Sequence, residues 1–521
     1  MNIKNLLFYT ILTFLGGQIF AQEPILTKPA GTTIPNYFIE NAEVQVIENK
    51  DDYILFYQDC DWKTYKNETK KMILYTPNSK SVKVTELIVP DGNKYITSKV
   101  VQDEVLNFYF FHNLKNRTID FNTASIPIPE SDLDSKKLTM STLFSYQIEP
   151  KTTTQGYFAE SLDKNYFSVV LTTLNEKKTI KTIYVIVYNS KFEIDWMQEF
   201  NPDFALKQTD IADFKVTNNG KALLLLNTFN AEKRKQFNHE LQLISLFKEN
   251  DLAKFTAVTG FGIIQSMKML VLKNGNYFVA GYYTEKQNAT TSGYFTYTFD
   301  PRKEKEIRSS YNYKFNETYK EREATGFAEP AKPNNSYDLK CDYLWEFPND
   351  FVVMLGEQYL ETTTVDPKKK TTTYNYFFKN VFYHQFALDG VHAGYDMYSK
   401  PHFGTSLSPI KNYSDQGLSY SAFLNGTTVY LMYNEHISRF NKEDVSQLIS
   451  FNSNYKKEAC LALVKINKIG DISKIMLMPP IKDIYYNKLW YSDGWNMIFG
   501  LSTKKTYDLE KIQIQSDWQW D

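Results

Sequence analysis

Glu357, Glu435 and His436 are the polar side chains of this sequence best placed to do chemistry. Glu357 ends the apolar run "FVVMLGEQY" (351–359), where burial would raise a carboxyl pKa toward general-acid use. It could equally accept a backbone hydrogen bond and do nothing more. Glu435 and His436 close the run "TVYLMYNEH" (428–436), just after Asn434. Together they would suit a carbohydrate-active enzyme, a glycoside hydrolase or lyase, whose carboxylates meet at a defined separation. His384, His392 and His402 flank one hairpin and its following loop, but six histidines in 521 residues read better as packing or surface groups than as a metal centre. H-E-x-x-H, C-x-x-C, G-x-S-x-G and phosphate-loop signatures are missing. "TGFGIIQ" (259–265) has Gln265 where a dinucleotide loop needs its third glycine, and "SLDK" and "STKK" match S-x-x-K without its partner motifs. No cofactor and no metal is therefore expected, and catalysis is the second choice.

The elements that would carry these residues repeat. Eight turn-then-strand segments begin at Tyr53, Leu106, Tyr166, Ala222, Tyr277, Phe351, Thr428 and Asn496, in steps of 53 to 77 residues. Asn219-Gly220, Asn274-Gly275, Asn425-Gly426 and Asp493-Gly494 precede four of them, pairs that accept the positive φ of tight turns. A second hairpin usually follows, turning at Asn189-Ser190, Asp389-Gly390 and near Gly470-Asp471. Each module is thus a four-stranded antiparallel meander. With 38 Tyr and 37 Phe and many β-branched residues, the repeat predicts an all-β propeller of about seven to eight blades. Separate β-sandwiches are the competing architecture. Only 440–451, and less clearly 203–214, read as helical.

The start, "MNIKNLLFYTILTFLGGQIFAQEP", reads as a secretory signal peptide over 1–21, cleaved near Ala21. Residues 22–521 then form one propeller domain, exported to the periplasm or cell exterior, with no later span for a membrane. Fifty-nine basic against 60 acidic residues, a net of −1, argue against nucleic acid. Three cysteines, Cys60, Cys341 and Cys460, are expected to be buried thiols. The last module, about 484–514, supplies three strands, so residues 38–48 are expected beside or within it, closing the ring and sparing two unpaired edges.

"YLWEFPNDFVVMLGEQY", "YFFKNVFYHQFALDG" and "TVYLMYNEH" resemble segments of uncharacterised exported repeat proteins of Bacteroidota-type bacteria, over roughly residues 200–480. Those carry "xxxEQY" strand ends and a hairpin with a central Asp-Gly; the Trp common after that turn is replaced here by "GVHAGYD". The resemblance implies location and fold and carries no activity to transfer. The C-terminus, "KIQIQSDWQWD", is unlike the sorting domain of surface-secreted proteins of such bacteria, which favours the periplasm.

Long insertions are expected at about 318–337, 360–379, 399–416 and 436–458, all rising on the same face of modules five to seven. Loops of that length are usually functional. Tyr337, Tyr359, Tyr374, Tyr376, Phe403 and Tyr413 lie in or beside them, with Asn434 near; such aromatics suit glycan stacking or protein contact, or simple packing on the ring. The preferred reading is a non-catalytic envelope protein binding a protein or glycan through this face.

Overall fold

In a computed structural model the protein is described over the strand residues 25–27, 34–35, 42–49, 52–59, 71–77 and 82–90. From 92 to 513 it is described except for 102–103, 114, 128–137, 149–151, 177–179, 202–206, 231–238, 249–251, 287–290, 303–306, 316–337, 349–350, 369, 407–417, 441–448, 451–458, 468–470, 481–484, 493–495 and 503–505. The signal-peptide reading, Cys60, Tyr337, Tyr413, the insertion at 318–337, and residues 407–416, 441–448 and 451–458 of the insertions at 399–416 and 436–458 fall outside these residues.

Among the described residues the strands form eight sheets, six of them four-stranded and two five-stranded. All eight segments picked out by the repeat are second strands of their sheets, from Asp52–Asp59 through Tyr277–Thr284 and Phe351–Asp366 to Asn496–Ser502. First strands of successive sheets touch one another, so they surround the axis and the fourth strands lie outermost. This is a β-propeller.

The run "ALLLL" shows why a blade's second strand has no polar face. Leu224 and Leu226 pack toward the preceding blade with Val170, Ile183 and Val185, while Leu223 and Leu225 pack toward the following one with Met267, Val279 and Phe295. Alternate side chains serve two interfaces, so the segment is continuously apolar. Each fully buried leucine contributes about 1.5–3 kcal/mol. The same division recurs at Val352 and Met354 against Val353 and Leu355 in blade six.

The recurring turns share one hydrogen bond, from the glycine N–H to the carbonyl three residues back: Gly220 to Thr217 at 2.9 Å, Gly275 to Leu272 at 2.8 Å, Gly390 to Ala387 at 2.8 Å. Gly390 has φ of +94°, and a Cβ there would lie 2.7 Å from Thr296 Oγ1 of blade five. Its carbonyl accepts a hydrogen bond from that same hydroxyl at 2.8 Å.

The last sheet takes its added strands from Ile25–Thr27 and Ile34–Pro35, which pair antiparallel with Thr506–Gln513. Ala42–Asn49 pairs with Asp52–Asp59 as the first strand of the first sheet and touches Tyr485–Ser492 of the last, so over 42–48 the expected segment lies beside the terminal blade and not within it. One expectation is corrected. The segment 203–214 is not helical where described: Lys207–Val216 is a strand, because Phe214 and Val216, two apart, both enter the core. Of 440–451, residues 441–448 and 451 lie outside the described residues; Phe440 ends the short helix Ile437–Phe440, and Ile449–Ser450 is a short strand parallel to His402 and Phe403.

Candidate functional site

Blade six differs from the others. Its second strand, Phe351–Asp366, has 16 residues and its third, Thr371–Ala387, has 17. The segment 360–379, expected as a loop, is thus a continuation of both strands, paired from Tyr359↔Phe378 to Asp366↔Thr371. Its Thr, Val and Tyr residues tolerate a pleated ribbon, and the cross-strand pairs hold it as one. The fourth strand, His392–Ser406, follows them as far as Tyr374↔Ser406, so 399–406 is strand too.

Blade and extension are separated by a band of register breaks. Pairing shifts between Glu357 and Tyr359, and between Phe378 and Asn380, where the fourth strand skips from Ser399 to His402. Bulges re-aim side chains, and here they turn polar groups inward. Glu357, Gln358, Lys379, Asn380, Lys400 and His402 are all buried. Asn380 Nδ2 donates to Gln358 Oε1 at 2.9 Å. Lys400, its side chain fully buried, forms an ion pair with Glu357 Oε1, and the Ser419 hydroxyl donates to Glu357 Oε2.

The network continues into blade seven. Lys400 Nζ lies 3.3 Å from His402 Nδ1, and His402 Nε2 lies 2.8 Å from the Asn434 carbonyl. An ammonium only donates and a carbonyl only accepts, which assigns the proton of a neutral His402 to Nε2. Glu435 Oε2 accepts from the Tyr433 hydroxyl at 3.2 Å and lies 3.5 Å from Lys474 Nζ; Tyr433 also bonds the Tyr398 hydroxyl. The His436 N–H donates to Glu435 Oε1 at 3.0 Å.

On the innermost strand of blade six, Asp342 occupies a bulge and accepts a hydrogen bond from the Tyr420 hydroxyl at 3.1 Å. Burial, then the Glu357 carboxylate, pushes its pKa up from 3.8 to about 7, while Lys340 pulls the other way. Burial also holds Lys400 below its ordinary value, against the pull of Glu357, Asp342 and Glu435. Two carboxylates thus converge near one buried cation. Sequence reasoning missed both Asp342 and Lys400: a bulge partner and a strand lysine carry no local signal.

The candidate residues therefore divide. Glu357, Glu435 and Asn434 join one buried network, each no more than 3 % exposed, and His436 touches it through its backbone N–H. Tyr376 is fully buried with Phe378 and Leu418, and Tyr359 and Tyr374 pack against that cluster. Tyr376 and Asn434 are both buried, Tyr376 in the base of the extension and Asn434 with its carbonyl against His402. Phe403 packs on Phe377, ring centroids 4.7 Å apart. Among the described residues no group of three or more His, Cys, Asp or Glu is arranged to hold a metal ion. Cys341 and Cys460 are buried free thiols.

No protein-family model and no curated protein sequence matches the chain. Solved structures of similar fold do. The Dos1 propeller is 8 % identical, with a TM-score of 0.41, over 93 % of this chain and 95 % of that one. The β-propeller domain of the Trilobed protease from Pyrococcus furiosus, also 8 % identical, has a TM-score of 0.30 over 72 % and 100 %. A Bacteroides caccae protein of unknown function is 11 % identical, with a TM-score of 0.25 over 64 % and 91 %.

Proposed function

We propose that the protein is an exported, non-catalytic binding protein of the bacterial envelope, recognising a protein or glycan through the face of blades five to seven that carries the blade-six extension. One observation carries this reading. Second and third strands in the other sheets have 7 to 10 residues, against 16 and 17 here. At about 3.3 Å per residue the extra length projects about 20 Å beyond the blade. Packing around the axis asks the same of every blade, and ordering these residues costs about 1–2 kcal/mol each in backbone entropy. The tip is exposed, with Val365 at 62 %, while the base is held by the buried Glu357–Lys400 pair.

The test replaces 362–373 by a two-residue Asn-Gly turn and compares capture on a glycan array and from solubilised envelope with that of the full chain. Capture at least tenfold weaker, about 1.4 kcal/mol, with an unchanged β-sheet spectrum supports the reading. Unchanged capture, or collapse of the fold, removes it.

A carbohydrate-active enzyme is the second reading, favoured by Asp342: a carboxyl titrating at about 7 on an axis-lining strand, beside Glu357, has general-acid character. Polysaccharide cleavage abolished by Asp342→Asn would replace the first reading with this one.

A further inference from the structure

Between the outer halves of blades five and six lies a histidine pair that the partner-binding face does not use. His384, on the third strand of blade six, is fully buried, and no protein donor or acceptor reaches either ring nitrogen. His392, two residues beyond the Asp389-Gly390 turn, pairs with Phe386 and so shares a sheet face with His384. Its ring bonds the Gly394 backbone, while its Nε2 is buried without a partner. Leaving one buried polar atom unpaired costs about 1–3 kcal/mol. Three on two neighbouring rings call for a ligand that unites them.

The geometry is specific. The two ring centroids are 6.2 Å apart with planes at 62°. Two imidazoles on one ion, each with a metal–nitrogen distance of about 2 Å, in near-linear coordination place their centroids about 6 Å apart. His392, anchored through its other nitrogen to backbone, has the arrangement typical of an imidazole ligand. The Tyr294 ring lies 4.3 Å from His384 and 5.3 Å from His392, which puts the point midway between the imidazoles about 4 Å from its centroid. Phe386 and Tyr395 stand about 6 Å from both imidazoles. A cation held there gains from the aromatic faces.

We propose that His384 and His392 form a two-coordinate site for a soft monovalent d10 cation, Cu(I) in chemical class, enclosed by Tyr294, Phe386 and Tyr395. Divalent zinc needs four ligands, and among the described residues no third His, Cys, Asp or Glu joins this pair. Half-buried His392 provides the entry side.

The experiment titrates the full chain anaerobically with Cu(I) against a chromogenic chelator, and with Ag(I) as a redox-inert surrogate. X-ray absorption then reads the ligand atoms. One ion per chain with two nitrogen neighbours is expected, weakened at least a hundredfold in His384→Phe and in His392→Phe. His239→Gln, altering a histidine on blade four that bonds Asn227, should leave it unchanged. Should His384→Phe fail to fold, the more exposed His392→Phe decides alone. Absence of binding, sulfur ligation, or an affinity that survives His392→Phe would each overturn the proposal.

Discussion

Lys400→Met should destabilise the protein far more than the loss of one ion pair suggests. Both partners lie out of water: the Lys400 side chain is 0 % exposed and that of Glu357 4 %. Taking charges into such a place costs several kcal/mol per ion, and their mutual attraction only offsets this. Removing the lysine leaves the Glu357 carboxylate with the Ser419 hydroxyl as its remaining named support, near the Asp342 carboxyl whose ionisation it opposes. Breaking a buried pair in this way costs about 3–5 kcal/mol. The double variant Lys400→Met/Glu357→Gln removes both charges while its amide can still accept from Ser419, so it should recover all but about 1 kcal/mol. Urea unfolding followed by tyrosine and tryptophan fluorescence reads the difference. With a slope of about 3 kcal/mol/M, the single variant's midpoint drops by about 1–2 M and the double variant's by less than about 0.5 M. The coupling between the two sites should then be at least about 2 kcal/mol. If the double variant is as unstable as the single one, the cost lies in the lost contact of the Lys400 ammonium with the Phe378 and Tyr420 rings, and the ion-pair argument fails.

The remaining predictions are these. Asp342 keeps its proton in the fold to about pH 7 but releases it near 3.8 when unfolded, so its contribution is full below 3.8 and is lost as pH rises through 7. Urea midpoints of Asp342→Asn and the parent should therefore diverge in favour of the variant between pH 4 and 8; parallel curves would contradict this. His384 and His392 have the opposite sign, their pKa values lying below 6.5 in the fold, so stability falls as pH drops below 6.5, and His384→Phe should flatten that limb of the curve. Gly356→Ala drives a methyl into the Tyr282 ring of blade five and should cost about 1–3 kcal/mol, read as a lower thermal midpoint. Burial raises the Cys341 thiol and, to about 12, that of Cys460; a thiol reagent should label neither until urea unfolds the chain, and rapid native labelling mapped to either by mass spectrometry would contradict their burial.

The blades were legible in the sequence because their information is local. An Asn-Gly or Asp-Gly pair needs positive φ wherever it occurs, and a second strand packed on both sides must be apolar throughout, as "ALLLL" and "YFVAGYY" are. Both properties survive in one dimension, so the eight second strands could be found without coordinates. Glu357 and Glu435 were found for the same reason, as charges ending apolar strands. Their meaning was not legible, since Lys400 lies 43 residues from Glu357 and is carried to it only by a register break shared across three strands. The extension was mistaken for a loop because Pro367 and the lysines at 368–370 read as a solvated loop tip; cross-strand pairing, which composition does not encode, made it a ribbon. Likewise, no spacing rule joins His384 to Tyr294 of the preceding blade. Local sequence determined the strands and turns, whereas the packing of blade on blade decided which buried charges and imidazoles would meet.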